Sequence, residues 1–328
     1  MDRTRRPNSD PPLSTRKRPA GAGPARIVHN RAVLSTHRFL IRLSLAAAAA
    51  FLWVAVFEYF AAFAPVARAL VSTALLYALC QTTTILLTPF ALRRLRGGMR
   101  RALVYGTLFL FAALGFLGAL TAGVFPHGLI AIALLLGAYR ALYRVPYAVE
   151  YAALSGGGAP RFFAELPLAL APLASGWFLT TSADPAGLFF IAALISALAL
   201  IPVAGIPNVH ESFSWGYHET FAHLAAPENR RTLAASAGKG IERAVLFFVW
   251  PLVLFFLFAG SPLPIGAAFS ATLFVILLFR ASHRRVVVEE HADAGAFIDE
   301  YTALKEMGQA LGRLALSFVL VLALALLQ

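Results

Sequence analysis

The chain has 328 residues, of which 59% are hydrophobic and only 13% charged, and a formal net charge of +12. Soluble domains are about 45–50% apolar and about 25% charged, so an ordinary soluble protein is excluded and an all-α, polytopic transmembrane helical bundle is expected. The positive charge sits on arginines that flank apolar runs, without a zinc-finger or RNP-like motif. That pattern marks membrane topology, with the lipid bilayer as partner and no nucleic acid.

In chain order, residues 1–37 are rich in Pro, Ser, Gly and Arg without apolar periodicity, which predicts a disordered basic tail. A six-helix bundle follows over 38–206. Its spans run from about Phe39 to Phe63, Val66 to Leu92, Ala102 to Val124, Gly128 to Tyr147, Phe162 to Thr181 and Leu188 to Ile206. Cys80, the only cysteine, falls inside the second span and excludes an intrachain disulfide or a cysteine metal cluster. Residues 207–240 read as a cytoplasmic linker, with Phe213, Trp215, Tyr217, Phe221 and Leu224 on an interfacial amphipathic helix. Residues 241–328 predict a partial second bundle with spans at about Ile241–Ala259, Leu263–Phe279 and Leu311–Leu327, about nine in all.

Orientation follows from the loops. Between the second and third spans, Arg93, Arg94, Arg96, Arg100 and Arg101 place five arginines within nine residues. The turns at 64–65, 125–127, 182–187 and 260–263 contain no Lys or Arg. The opposite loops hold Arg161, Arg230, Arg231, Lys239, Arg284 and Arg285. By the positive-inside rule the N-terminus is expected in the cytoplasm.

Six spans, a linker and further spans resemble the major facilitator superfamily of secondary transporters. The loop after the second span is similar to that family's signature, Gly-x-x-x-Asp-Arg-x-Gly-Arg-Lys. Gly98, Arg100 and Arg101 match it, and Ala91 and Leu95 replace its Gly and Asp. Ala141–Tyr147, and Gly240-Ile241-Glu242 followed by Trp250-Pro251, resemble a bacterial branch of the family. The resemblance covers about residues 39–280. It implies a multi-pass protein of the plasma (bacterial inner) membrane that moves a small solute by alternating access, without cofactor or enzymatic chemistry. Glu150-Tyr151-Ala152-Ala153-Leu154 precedes the fifth span, and Glu300-Tyr301-Thr302-Ala303-Leu304 precedes the last. Parallel repeats typify such transporters, so this echo suggests that the last span corresponds to an eleventh helix; the alternative is a chance match.

Ionisable groups inside spans are functional candidates. Glu58 reads either as a carboxylate for a coupling proton or cation, or as an interfacial side chain. Gln81, Thr82, Thr83 and Thr84 either line a polar cavity or bond neighbouring helices. Arg140, Tyr143, Arg144, Tyr147 and Glu150 are spaced by three or four, which predicts one helix face. Such a face suits an anionic solute, whereas Arg144 snorkelling to headgroups and Tyr147 in the aromatic belt is the plainer account. Arg94, Gly98, Arg100, Arg101, Glu150 and Glu242 are candidates for a cytoplasmic gate, with a charged helix start as the simpler role for Glu242. His210, His218 and His223 with Glu211 and Glu219 could suggest a metal. Yet His218 and His223 are five apart, which is not the spacing of a same-face pair, so solvated linker residues are the reading and no metal is expected. A polytopic membrane enzyme is disfavoured because no aspartate lies in a span. A non-transporting scaffold is the other alternative.

Overall fold

In the computed structural model the chain is described over residues 24–94, 98–125, 128–154, 162–205, 215–282 and 298–326. Its helices are α1 Pro24–Ala49, α2 Leu52–Ala61, α3 Val66–Arg94, α4 Met99–Thr121, α5 Leu129–Leu154, α6 Phe162–Ser182 and α7 Pro185–Leu198. They continue with α8 Leu200–Ala204, α9 Tyr217–Ala225, α10 Arg230–Ala244, α11 Trp250–Leu257, α12 Pro262–Ser282 and, last in the chain, α13 Ile298–Leu326. No strand occurs among the described residues. Among the described residues eight helical stretches are long and apolar enough to cross a membrane, so the chain is an all-α, multi-pass membrane protein.

The spans of α3, α4 and α5 sit within a few residues of their expected places. Helix α6, 21 residues long, occupies the place of the fifth expected span. The first span begins earlier than expected. Helix α1 starts at Pro24 inside the expected tail, and its stretch from Ala32 joins α2 in a 30-residue apolar span. Leu34 and His37 on this extension are buried, with His37 Nδ1 2.7 Å from the Ala199 carbonyl oxygen.

The linker is likewise shorter than 207–240. From Pro227 the chain is continuously helical to Leu257, through α10, a π-helical turn at Val245–Val249 and α11. Pro251 lacks an amide hydrogen, so a regular α-ladder cannot run through it, and the wider π turn lies just before it. Helix α9 closes the end of the bundle nearest the arginine loop. Phe221 and Leu224 pack on Ile85, Met307 and Ala310, and Trp215 on Leu92, Met99, Ala102, Val145 and Ala303.

The last span also begins earlier: α13 starts at Ile298, and its polar Glu306 and Gln309 face protein rather than water. It packs along α3 and α10, while α12 packs along α6. Both long pairings are close. A Cβ on Gly176 of α6 would lie 2.6 Å from the Pro262 carbonyl oxygen, and one on Gly266 of α12 2.4 Å from that of Pro172. On the other side, Gly240 and Gly312 bring α10 and α13 together in the same way. The sequence echo falls at unlike places: Glu150–Leu154 ends α5, whereas Glu300–Leu304 lies in the first turns of α13.

Candidate functional site

Three helices bring a charged cluster into the interior. From α3 come Cys80 and Gln81, from α5 Arg140 and Arg144, and from α13 Glu306, Gln309 and Arg313, with Arg243 of α10 at the edge. Glu306, Gln309 and Arg313 are spaced by three and four, so one face of α13 presents all of them. Arg144 Nη1 donates to Glu306 Oε1 at 3.0 Å and lies 3.5 Å from Oε2. Arg313, 2% exposed, sends Nη1 to Gln81 Oε1 at 3.3 Å and Nη2 to Gln309 Oε1 at 3.2 Å, with Glu306 Oε1 3.6 Å away. Arg243 also donates to Gln309 Oε1. Gln81 completes the network by donating to the Tyr77 carbonyl at 3.4 Å. Arg140 Nη1 lies 3.5 Å from Cys80 Sγ, and its guanidinium carbon is 5.9 Å from the centre of the Tyr77 ring.

An aromatic layer caps this cluster on the side of the α2–α3 turn. Tyr77 stacks on Phe248 of the π-helical turn with centroids 4.3 Å apart, and Trp53 of α2 meets both rings edge-on. All three are buried. Beyond the layer, toward the end of α2, opens a cleft of about 410 Å³. Phe51, Val54, Glu58, Thr180, Phe255 and Pro262 line it, so helices from both ends of the chain form its walls.

The expected residues fall into several places. Gln81, Arg140 and Arg144 meet in the cluster, and Arg144 pairs with α13 instead of reaching headgroups. Tyr143 does not join them, because the expected single face of α5 divides in two. Tyr139, Tyr143 and Tyr147 form a stacked column, with centroid spacings of 5.3 and 5.8 Å, that turns toward α1. There Tyr143 lies 5.6 Å from the His37 ring, and Arg38 donates to the Tyr147 hydroxyl at 3.0 Å. Thr84 is helix-bonding: its Oγ1 is 2.9 Å from the Cys80 carbonyl and 3.3 Å from that of Gly137. Thr84→Val is therefore expected to lower unfolding stability by about 0.6 kcal/mol, the typical value of one interhelical bond in a membrane protein. Ligand affinity is expected to stay unchanged; thermal unfolding and binding on the same sample check both. Glu58 is remote from the cluster and lines the cleft.

Of the expected gate residues, Gly98 opens α4 with φ +110, a conformation that suits glycine alone. Arg100 Nη1 reaches the Ala204 carbonyl oxygen at the end of α8, 3.4 Å away, while Arg101 is exposed. Glu242 is exposed and takes no part in the cluster. The side chains of Arg94 and Glu150, and His210 and Glu211 as wholes, lie outside the described residues. His223 stacks on Trp215 at 4.0 Å.

Sequence reading missed Glu306, Gln309 and Arg313, and singled out Arg243 only for an ion pair with Glu242, whereas it donates to Gln309. Average hydropathy counts such residues as loop. The available signal was periodic: 306, 309 and 313 share a helix face next to the glycines 308 and 312.

The fold and this cluster define a polytopic helical membrane protein with a charged, cross-linked interior. No protein-family model matches the sequence, and no curated protein matches it.

Proposed function

We propose that the chain is a secondary transporter of the major facilitator type, moving a small anionic solute by alternating access between two helix bundles. One observation carries this reading. Arginines inside a membrane are costly and mark solute pathways, and here three lie together where α3 and α5 of the first bundle meet α13 and α10 of the second. Solute sites at a bundle interface near the middle of the membrane are the pattern of such transporters. The Arg144–Glu306 pair then ties the bundles together on the side of the arginine loop, and the cleft beside Glu58 leaves them parted on the other.

Pairing of the helices supports the same reading. A repeat of six spans related by a two-fold axis exchanges the second span with the eighth and the fifth with the eleventh. Under that exchange the α3–α13 contact becomes the α12–α6 contact, and both pairings are present. Helix α13 then holds the eleventh position. The arginine loop faces the cytoplasm of the plasma membrane, with the N-terminus on the same side.

The test is a charge-displacement recording on reconstituted protein, using a panel of small carboxylates and phosphates. At least one anion is expected to give a saturable current that falls tenfold or more in Arg144→Gln. Silence across the panel, with no anion altering the melting temperature, overturns the proposal in favour of a non-transporting scaffold.

A further inference from the structure

The cluster is unbalanced in charge, and the imbalance specifies the solute more narrowly than its sign. Arg140, Arg144 and Arg313 bring three guanidinium groups, against which stands one carboxylate, Glu306. Glu306 is shared by Arg144 and Arg313. The remaining donors of Arg313 meet neutral amide oxygens of Gln81 and Gln309. Arg140 has no carboxylate within ion-pair distance among the described residues; it meets a thiol and the face of a tyrosine. Among the described residues, two of these positive charges therefore stay unneutralised in the interior. Uncompensated buried charge is strongly destabilising, and partners that merely accept hydrogen bonds leave the charge in place.

Position adds to the count. Arg140 approaches α3 at Cys80, and Arg313 approaches it at Gln81, the next residue. Both guanidinium groups, from two different helices packed on α3, thus reach one turn of that helix. Two planar forks brought there by different helices suit a group with several charged oxygens, because each fork can take a bidentate pair. Lysines would supply charge without that geometry.

We propose that Arg140 and Arg313, beside Tyr77, Cys80 and Gln81, together hold a compact dianion, a phosphate-type group or a small dicarboxylate. Glu306 stays with Arg144 and the far side of Arg313, and the dianion neutralises the two charges that Glu306 leaves. This inference rests on the anionic-solute reading above and narrows it.

Cys80 provides the probe: it is the only cysteine in the chain and lies buried against Arg140, so its alkylation reads how often the interior opens around that arginine. The full-length protein, purified in detergent, is treated with a maleimide at constant ionic strength in phosphate, succinate, acetate or chloride, and its melting temperature is read in each. Phosphate or succinate is expected to slow alkylation of Cys80 at least fivefold and to raise the melting temperature by several degrees. Acetate and chloride are expected to do neither. The protection is expected to vanish in Arg140→Gln and to persist in Arg231→Gln, an exposed arginine on α10. The better of phosphate and succinate tells which kind of dianion fits. Equal effects from acetate overturn the dianion while leaving an anionic solute standing. No effect from any anion overturns both. The comparison of anions on the unaltered protein does not depend on any variant folding.

Discussion

Glu306→Gln is expected to be among the most damaging single substitutions in the chain, although it removes only one charge and keeps the side chain's shape. Glu306 is the one carboxylate that Arg144 and Arg313 share, and both it and Arg313 are buried. Glutamine leaves two guanidinium groups facing each other with no anion between them. Breaking a buried ion pair from one side costs about 3–5 kcal/mol, because the abandoned charge keeps its desolvation penalty. Arg144 is one-third exposed and recovers part of that through water, so the lower end of the range is expected here. Thermal or denaturant unfolding in detergent measures the loss.

A second substitution separates this cause from simple loss of contacts. If the damage comes from unpaired positive charge, removing one of the arginines as well relieves it. Glu306→Gln combined with Arg313→Gln is therefore expected to be more stable than Glu306→Gln alone, with a coupling of about 1–3 kcal/mol between the two sites, as for neighbours in one network. Additive losses would mean that packing, not charge, governs the cluster. High concentrations of a multivalent anion are expected to rescue the single variant for the same electrostatic reason.

The parts of the fold that could be read in advance are those where apolarity alone decides. Helices α3, α4 and α5 carry long apolar stretches, and the ends of those stretches mark the spans. Reading failed where a helix turns polar residues toward other helices. Glu306, Gln309 and Arg313 lower the hydropathy of α13, so its first three turns looked like a connecting segment. Lys239, Glu242 and Arg243 did the same for α10. In α13 these polar groups find partners in the bundle, and α10 joins them through Arg243, which donates to Gln309, while Lys239 and Glu242 lie on its exposed face. For the site, Gln81, Arg140 and Arg144 could be singled out as ionisable or amide groups within spans. Their partners on α13 could not, since which face of a late helix meets which early helix is decided by packing. The division of α5 into an arginine face and a tyrosine face shows the same limit. Residues 139, 143 and 147 and residues 140 and 144 are each one helical turn apart, and only the position of α1 assigns the first set to His37 and Arg38.

That packing rests on glycine, and Gly312→Ala is expected to loosen it by adding a single methyl group. A Cβ at Gly312 would lie 2.0 Å from the carbonyl oxygen of Ala237, and one at Gly240 2.1 Å from that of Gln309. Those neighbours are backbone atoms of the opposing helix, so no rotamer change can make room and the helices must part. A Cβ at Gly308 would lie 2.9 Å from that of Ser236, so the seam is tight one turn further on as well. Small residues one turn apart on facing helices are how membrane helices approach closely, where dispersion rather than the hydrophobic effect holds them. Overfilling such a contact costs about 1–3 kcal/mol. The displacement also draws Gln309 away from Arg243 and Arg313, so the cluster loosens with the seam. Gly238, two residues before Gly240, has nothing within 4 Å of its would-be Cβ. Alanine there only restricts the unfolded chain and improves helix propensity, so Gly238→Ala is expected to stabilise by about 0.5–1 kcal/mol. The two changes add the same atom to neighbouring faces of one helix pair and are expected to move the unfolding midpoint in opposite directions. Destabilisation by both would mean that α10 is too poorly held for its glycines to act as spacers, and stabilisation by both would place α13 away from α10.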